Sequence, residues 1–108
     1  MKNISAEEFK EVLCKEHGNR PLVVDVRTAE EYREMRIPHA VNMPLDEMEK
    51  YAETLRPYDI VYVHCRSGHR SVRACEVLEF LGLANLANVL GGIEAWERIG
   101  GDIVYGEA

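Results

Sequence analysis

Short apolar runs typical of β-strands alternate with helical patterns along the whole chain. Residues 22–26, 60–64 and 86–90 are dominated by apolar and β-branched side chains, which favour strands. The segments between them place apolar residues at helical spacing and carry helix-capping signals. A strand, a helix and a second strand in this order form a right-handed crossover in a mostly parallel sheet. The pattern therefore predicts an α/β fold with helices on both faces of that sheet.

Two capping boxes mark the starts of helices. Ser5 with Glu8, and Thr28 with Glu31, place a hydroxyl at the N-cap and a carboxylate three residues later. We expect the first helix to end near Gly18, because glycine commonly follows the last helical turn. The other expected elements are a helix from 28 to about 35, a brief strand over 40–42, a helix over 45–55, a helix over 70–81 and a small helix after Gly91-Gly92.

Length and charge restrict the class of protein. A chain of 108 residues has room for one core, so we expect residues 1–108 to form a single domain. The apolar runs are far shorter than the ~20 residues of a membrane helix, and Glu7 and Glu8 leave no apolar stretch for a secretory signal. We therefore expect a cytoplasmic protein without a membrane partner. The net charge of −6, from 13 basic and 19 acidic residues, argues against a nucleic-acid partner.

The segment 64–71 surrounds Cys65 with groups that suit a reactive thiol. A cysteine reacts as its thiolate, and the positive charges of Arg66 and Arg70 favour that form. A turn at Gly68 would point backbone N–H groups at the sulfur, and the helix that follows would add the positive end of its dipole. The polar side chains that complete this loop belong to Ser67, His69 and Ser71. The sequence thus predicts an anion-binding loop with Cys65 as its nucleophile.

The charge near this cysteine is opposite in sign to that of the whole chain. Residues 65–73 contain three arginines and no acidic residue, so we expect a basic pocket there. His69 is interpreted either as a proton donor or acceptor or as a solvated loop residue. His64 is the last strand residue, and we expect its side chain to point away from Cys65.

The other two cysteines are interpreted as packing residues. Cys75 lies beside the core face of its helix, and Cys14 follows the apolar positions of the first helix. A metal site built from His64, Cys65, His69 and Cys75 would match no common zinc spacing, and two arginines would repel the cation. We therefore expect no metal. No nucleotide or flavin motif is present, so no cofactor is expected either.

Four spaced blocks resemble the rhodanese domain, specifically the single-domain thiosulfate sulfurtransferases. Residues 22–27 look like the family's D-V-R strand, and residues 31–44 look like its E-[FY]…I-P-x-A-x-N-I-P segment. Residues 63–71 are similar to its active-site loop, and residues 90–96 are similar to its L-x-G-G…W segment near the end of the domain. The resemblance implies a three-layer α/β fold with a central, mostly parallel five-stranded sheet and helices on both faces.

The same resemblance implies a sulfurtransferase. Cys65 would attack the sulfane sulfur of thiosulfate or a similar anion, release sulfite and become a persulfide, from which a thiol or cyanide takes the outer sulfur. Arg66 and Arg70 would draw the doubly charged donor, while backbone N–H groups hold the persulfide. Asp25 and Arg27 resemble the family's supporting charges. We interpret Asp25 as structural, because an acid beside the sulfur would disfavour the thiolate.

Three other functions fit parts of this sequence. A persulfide carrier would load Cys65 in the same way but turn over slowly with small acceptors. A phosphatase of the same fold would need an arginine at position 71, where the chain has Ser71; Arg70 makes the loop one residue shorter. A regulatory module without activity usually lacks the loop cysteine, which is present here. The physiological donor, the acceptor and the oligomeric state stay open.

Overall fold

The computed structural model of the chain describes residues 1–15 and 21–106. The strands are β1 (Lys2–Ile4), β2 (Leu22–Asp25), β3 (Met35–Arg36), β4 (Val41–Asn42), β5 (Val61–His64), β6 (Leu86–Val89) and β7 (Val104–Tyr105). The helices are α1 (Ala6–Lys15), α2 (Ala29–Glu34), α3 (Met48–Leu55), α4 (His69–Phe80) and α5 (Gly92–Arg98). Within these ranges no helix has the length and apolar character needed to cross a bilayer. The expected end of α1 near Gly18 lies outside the described residues.

A parallel sheet forms the centre of the fold. In the described part of the chain it has five strands, in the order β1-β6-β5-β2-β4. In the central strand β5, Val63 is in register with Val24 on one side and with Asn88 on the other. The short strands β3 and β7 pair antiparallel, apart from this sheet. The predicted α/β fold with a parallel five-stranded sheet is confirmed.

Two apolar clusters cover the two faces of the sheet. On one face, Val61 and Val63 of β5 pack with Leu55 of α3 and Leu78 of α4. The opposite cluster joins Tyr62 of β5 to Phe9 of α1 and Trp96 of α5. The ring centroid of Phe9 lies 5.2 Å from that of Tyr62 and 5.4 Å from that of Trp96. Successive residues of a strand point to opposite faces, so β5 contributes to both cores and the helices form the outer two of three layers.

The helix starts agree with their capping signals. The backbone N–H of Glu8 donates to Ser5 Oγ over 3.0 Å, and that of Glu31 donates to Thr28 Oγ1 over 3.2 Å. The helix expected over 45–55 instead begins with a turn of 3₁₀ helix, Leu45–Glu47, directly after Pro44. The strands β1, β3 and β7 were not predicted, since two or three residues are too few to show an alternating pattern.

Candidate active site

Cys65 lies at the carboxyl edge of the sheet, where β5 ends. The chain leaves His64, forms a short loop over 65–68 and enters α4 at His69. Because β5 is the central strand, this loop is flanked by the ends of β2 and β6. In parallel α/β sheets this edge commonly carries the binding site. The structure therefore places the cysteine where the sequence pattern predicts chemistry.

The sulfur of Cys65 is held inside its own loop. Cys65 is only 1% exposed, and its side chain belongs to the core cluster beneath α4. The backbone N–H of Gly68 donates to Sγ over 3.1 Å. The thiol lies 3.5 Å from Ser71 Oγ, and the hydroxyl of the buried Ser71 donates to the carbonyl of Gly68 over 3.3 Å. At the amino end of α4 the sulfur thus accepts from one backbone N–H, while its thiol donates to the hydroxyl oxygen of Ser71.

Gly68 makes this geometry possible. Its φ of 112° is a conformation that side chains rarely adopt, and it is the N-cap residue of α4. This turn directs the Gly68 N–H back toward Cys65. The first N–H groups of α4 have no partners within the helix, and the helix dipole adds partial positive charge at the same end. The loop therefore suits a sulfur that carries negative charge.

The glycine pair Gly91-Gly92 allows α5 to support the cysteine loop through backbone contacts. The first residues of α5 donate to the loop carbonyls, Ile93 N to Cys65 O over 2.9 Å and Glu94 N to Arg66 O over 3.1 Å. Such contacts require Gly92, since a Cβ there would lie 2.4 Å from Cys65 O. The sequence pattern placed Gly91-Gly92 before a small helix and in the block 90–96 that resembles the family, but it did not connect the pair to the cysteine. Two adjacent glycines before a short helix were the available signal, but only the fold shows what they contact.

Arg66 of the loop and Arg70 of α4 are both paired with carboxylates. Arg70 forms a bidentate ion pair with Glu31 of α2, with Nη1–Oε1 at 2.7 Å and Nη2–Oε2 at 3.0 Å. Arg66 contacts Glu94 of α5 through Nε, 3.1 Å from Oε2. The segment 65–73 contains no acid, but the tertiary structure brings two acids to it. The expected basic pocket is thus largely neutralised, because other elements supply the opposite charge.

Ser67 of the loop and His69, the first residue of α4, are both exposed. Ser67 Oγ is 3.4 Å from His69 Nδ1, and both residues are exposed. These two side chains therefore contact each other, whereas Ser71 contacts the sulfur.

Asp25, Arg27 and His64 form a buried polar group beneath the loop. Arg27 donates to both carboxylate oxygens of Asp25, with Nη2–Oδ2 at 2.8 Å and Nε–Oδ1 at 3.0 Å. His64 Nε2 lies 3.9 Å from Asp25 Oδ2, and burial lowers the pKa of His64, which favours the neutral ring. All three residues are buried. Asp25 and Arg27 neutralise each other under the end of the sheet, in agreement with a structural role for Asp25.

The three cysteines differ in their surroundings. All are free thiols; Cys14 is exposed, whereas Cys65 and Cys75 are buried. Burial raises the pKa of Cys75 to about 12, so this thiol is neutral and unreactive in the folded protein. Among the residues that the structure describes, no group of three or more His, Cys, Asp or Glu side chains is arranged to hold a metal ion.

The parallel sheet, with a buried and hydrogen-bonded cysteine after its central strand, makes this an α/β domain with a cysteine loop at the carboxyl edge of the sheet. The family model for the rhodanese-like domain matches residues 5–99, and the chain belongs to this family.

Known relatives and solved structures agree with the family. The chain is 39% identical over 87 residues to a protein named "Sulfurtransferase" from Allochromatium vinosum, covering 80% of each chain. It is 37% identical over 93 residues to the "Putative sulfur carrier protein YrkF" of Bacillus subtilis. That match covers 86% of this chain but 49% of YrkF, so the chain spans about half the length of this relative. The crystal structure of a rhodanese-related protein from Thermoplasma volcanium superposes with a TM-score of 0.83 at 31% identity, covering 96% of this chain and 98% of that one.

Proposed function

We propose that this protein is a sulfurtransferase. It moves a sulfane sulfur from thiosulfate or a related donor to a thiol or cyanide, through a persulfide on Cys65. The observation that carries the proposal is the 3.1 Å hydrogen bond from the Gly68 N–H to the Cys65 sulfur at the amino end of α4. Membership of the rhodanese-like family and relatives named as a sulfurtransferase and a sulfur carrier support a sulfur-transfer role.

The first step loads the cysteine. The Cys65 thiolate attacks the outer sulfur of thiosulfate, a new S–S bond forms, and the old S–S bond breaks with its electron pair leaving on sulfite. The product is a negatively charged persulfide. The Gly68 N–H, which already donates to the Cys65 sulfur, and the first N–H groups of α4 are the donors available to that charge.

The second step returns the cysteine to its starting state. A thiolate or cyanide attacks the outer sulfur of the persulfide, and the electron pair of the breaking S–S bond returns to Cys65 as thiolate. Donor and acceptor therefore use the same sulfur in turn, and ping-pong kinetics are expected. Since Cys65 is 1% exposed, a donor with a small terminal sulfur atom can reach it more easily than a donor with a bulky group at that position.

A mass measurement tests the proposal directly. The intact protein is treated with thiosulfate, and we expect an added mass of one sulfur atom that maps to Cys65 and disappears on treatment with cyanide. If no sulfane donor adds a sulfur atom to the protein, the proposal is contradicted. An added sulfur that maps to Cys14 or Cys75 would also contradict it.

A persulfide carrier is the second candidate, because one relative is named a sulfur carrier. A carrier would load Cys65 by the same first step but release its sulfur mainly to a protein thiol. The two functions differ in the second step. Rapid thiocyanate formation from thiosulfate and cyanide favours the enzyme, whereas fast loading with slow release to cyanide and small thiols favours the carrier.

A further inference from the structure

Glu31 is a fixed partner of Arg70. The capping box of α2 holds its carboxylate, which accepts hydrogen bonds from the Thr28 N–H over 3.0 Å and from Thr28 Oγ1 over 3.1 Å. The side chains of Arg70 and Glu31 are 34% and 28% exposed, respectively. The hydrogen bonds from Arg70, together with those from Thr28, lower the pKa of Glu31 to about 2. The pair is therefore ionised and neutral overall throughout the ordinary pH range.

Glu94 holds Arg66 more loosely. The two side chains share one contact, 3.1 Å between Arg66 Nε and Glu94 Oε2. The side chain of Arg66 is 66% exposed and that of Glu94 is 45% exposed. Solvent screens such a pair strongly. The two ion pairs together cancel two of the three positive charges that residues 65–73 carry.

We propose that Glu31, assisted by Glu94, determines donor specificity by limiting the negative charge that the loop accepts. The inference rests on the proposed sulfur transfer at Cys65. Two free arginines would attract a doubly charged donor strongly, but each arginine here shares its charge with a carboxylate. The same carboxylates repel the donor, and this repulsion grows with the donor's charge. The site therefore favours a singly charged sulfane donor over a doubly charged one.

Two donors that differ by one charge make this measurable. Thiosulfate carries two negative charges, and methanethiosulfonate carries one because a methyl group replaces an anionic oxygen. With both, the Cys65 thiolate attacks the terminal sulfur and the S–S bond breaks. The electron pair leaves on sulfite in the first case and on methanesulfinate in the second. The persulfide product is identical, so cyanide serves as the common acceptor.

The decisive variant is Glu31→Gln. Glutamine also fits the third position of a capping box, so α2 keeps its start while Arg70 loses its charged partner. We expect kcat/KM to rise about tenfold for thiosulfate and about threefold for methanethiosulfonate, because the energy scales with donor charge. The increase in kcat/KM should come mainly from a lower KM for the donor. Added salt should reduce this increase. Glu94→Gln should shift the ratio of the two kcat/KM values in the same direction but less.

Glu30→Gln is the matched control, since Glu30 is an exposed neighbour on the same helix. It removes the same charge without touching the Arg70 pair, and we expect it to leave the donor ratio unchanged. An equal shift in this control would overturn the inference, because overall charge would then explain the preference.

Failure of the inference and failure of the proposed function give different results. If both donors load Cys65 but Glu31→Gln leaves their ratio unchanged, the specificity role is wrong and sulfur transfer stands. If neither donor loads Cys65, the proposed function fails and the inference fails with it. If Glu31→Gln does not fold, Glu94→Gln decides, and an unchanged ratio there counts against the proposal.

Discussion

Gly92 lies directly against the carbonyl oxygen of Cys65. A Cβ added to Gly92 would be 2.4 Å from that oxygen and 2.6 Å from the oxygen of Arg66. The same stretch of chain donates the Ile93 N–H to the Cys65 carbonyl. The cysteine loop is therefore positioned by backbone contacts with the start of α5, which is distant in sequence.

The first prediction follows from this contact. Gly92→Ala should displace the loop, lower sulfur transfer at least tenfold and reduce the free energy of unfolding by about 2 kcal/mol, through the clash and through the strain of an L residue at φ 59°. Gly100→Ala is the control for strain alone, because Gly100 has φ 81° with nothing within 4 Å of an added Cβ. It should lose about 1 kcal/mol and keep its activity. Steady-state kinetics and urea unfolding of both variants check this, and full activity in folded Gly92→Ala would contradict the loop-support role.

A second prediction concerns the nucleophile. Cys65→Ser should fold, because serine keeps the polar atom that accepts from the Gly68 N–H, but it should take up no sulfur from any donor. Mass spectrometry after thiosulfate treatment measures this, with Cys14→Ser as the matched control that still loads. A persulfide found elsewhere on the Cys65→Ser variant would assign the chemistry to a different thiol.

The third prediction separates exposed Cys14 and buried Cys75 from the proposed nucleophile Cys65. Cys14 is exposed, whereas burial raises the pKa of Cys75 to about 12. An alkylating reagent at neutral pH should therefore modify Cys14 and leave Cys75 unmodified until the protein unfolds. Replacing Cys14 by Ser and Cys75 by Ala should leave turnover intact, while the Cys75 change costs about 1 kcal/mol of stability. Loss of turnover at unchanged stability would instead indicate that one of these thiols resolves the persulfide.

A fourth prediction is the pH dependence of the Glu31–Arg70 pair. The pKa of Glu31 falls from its ordinary 4.5 to about 2 on folding, so the unfolded chain takes up this proton first as the pH falls. The stabilisation is therefore complete above about pH 4.5 and is lost as the pH approaches 2. For this partly exposed pair, Glu31→Gln should lose about 1 kcal/mol at pH 7.

Urea unfolding between pH 7 and pH 2.5 would measure that difference. The gap between the natural protein and Glu31→Gln should shrink below about pH 4.5, whereas Glu30→Gln should show a small gap at every pH. A constant gap for Glu31→Gln across the whole range would mean that the carboxylate charge does not stabilise the fold.

Much of the fold follows from local signals. A few neighbouring residues are enough to predict the helix starts at the capping boxes of Ser5 and Thr28. The same holds for the strand predicted from the β-branched run that ends at His64. The short strands β1 and β7 carry no such signal, because they exist through pairing with β6 and β3 rather than through their own preference. Two or three residues cannot display a period, so only the sheet shows where they belong.

The candidate site divides along the same line. The position of Cys65 at the end of a strand, in a loop with a glycine turn before a helix, could be predicted from the sequence, because these properties depend on neighbours within a few residues. The charge around that loop could not be predicted in this way, because folding places Glu31 beside Arg70 from 39 positions away along the chain. The tertiary structure also decides what supports the loop, by packing Gly92 against Cys65. Charge balance and close packing depend on distances through space, which a linear pattern does not contain.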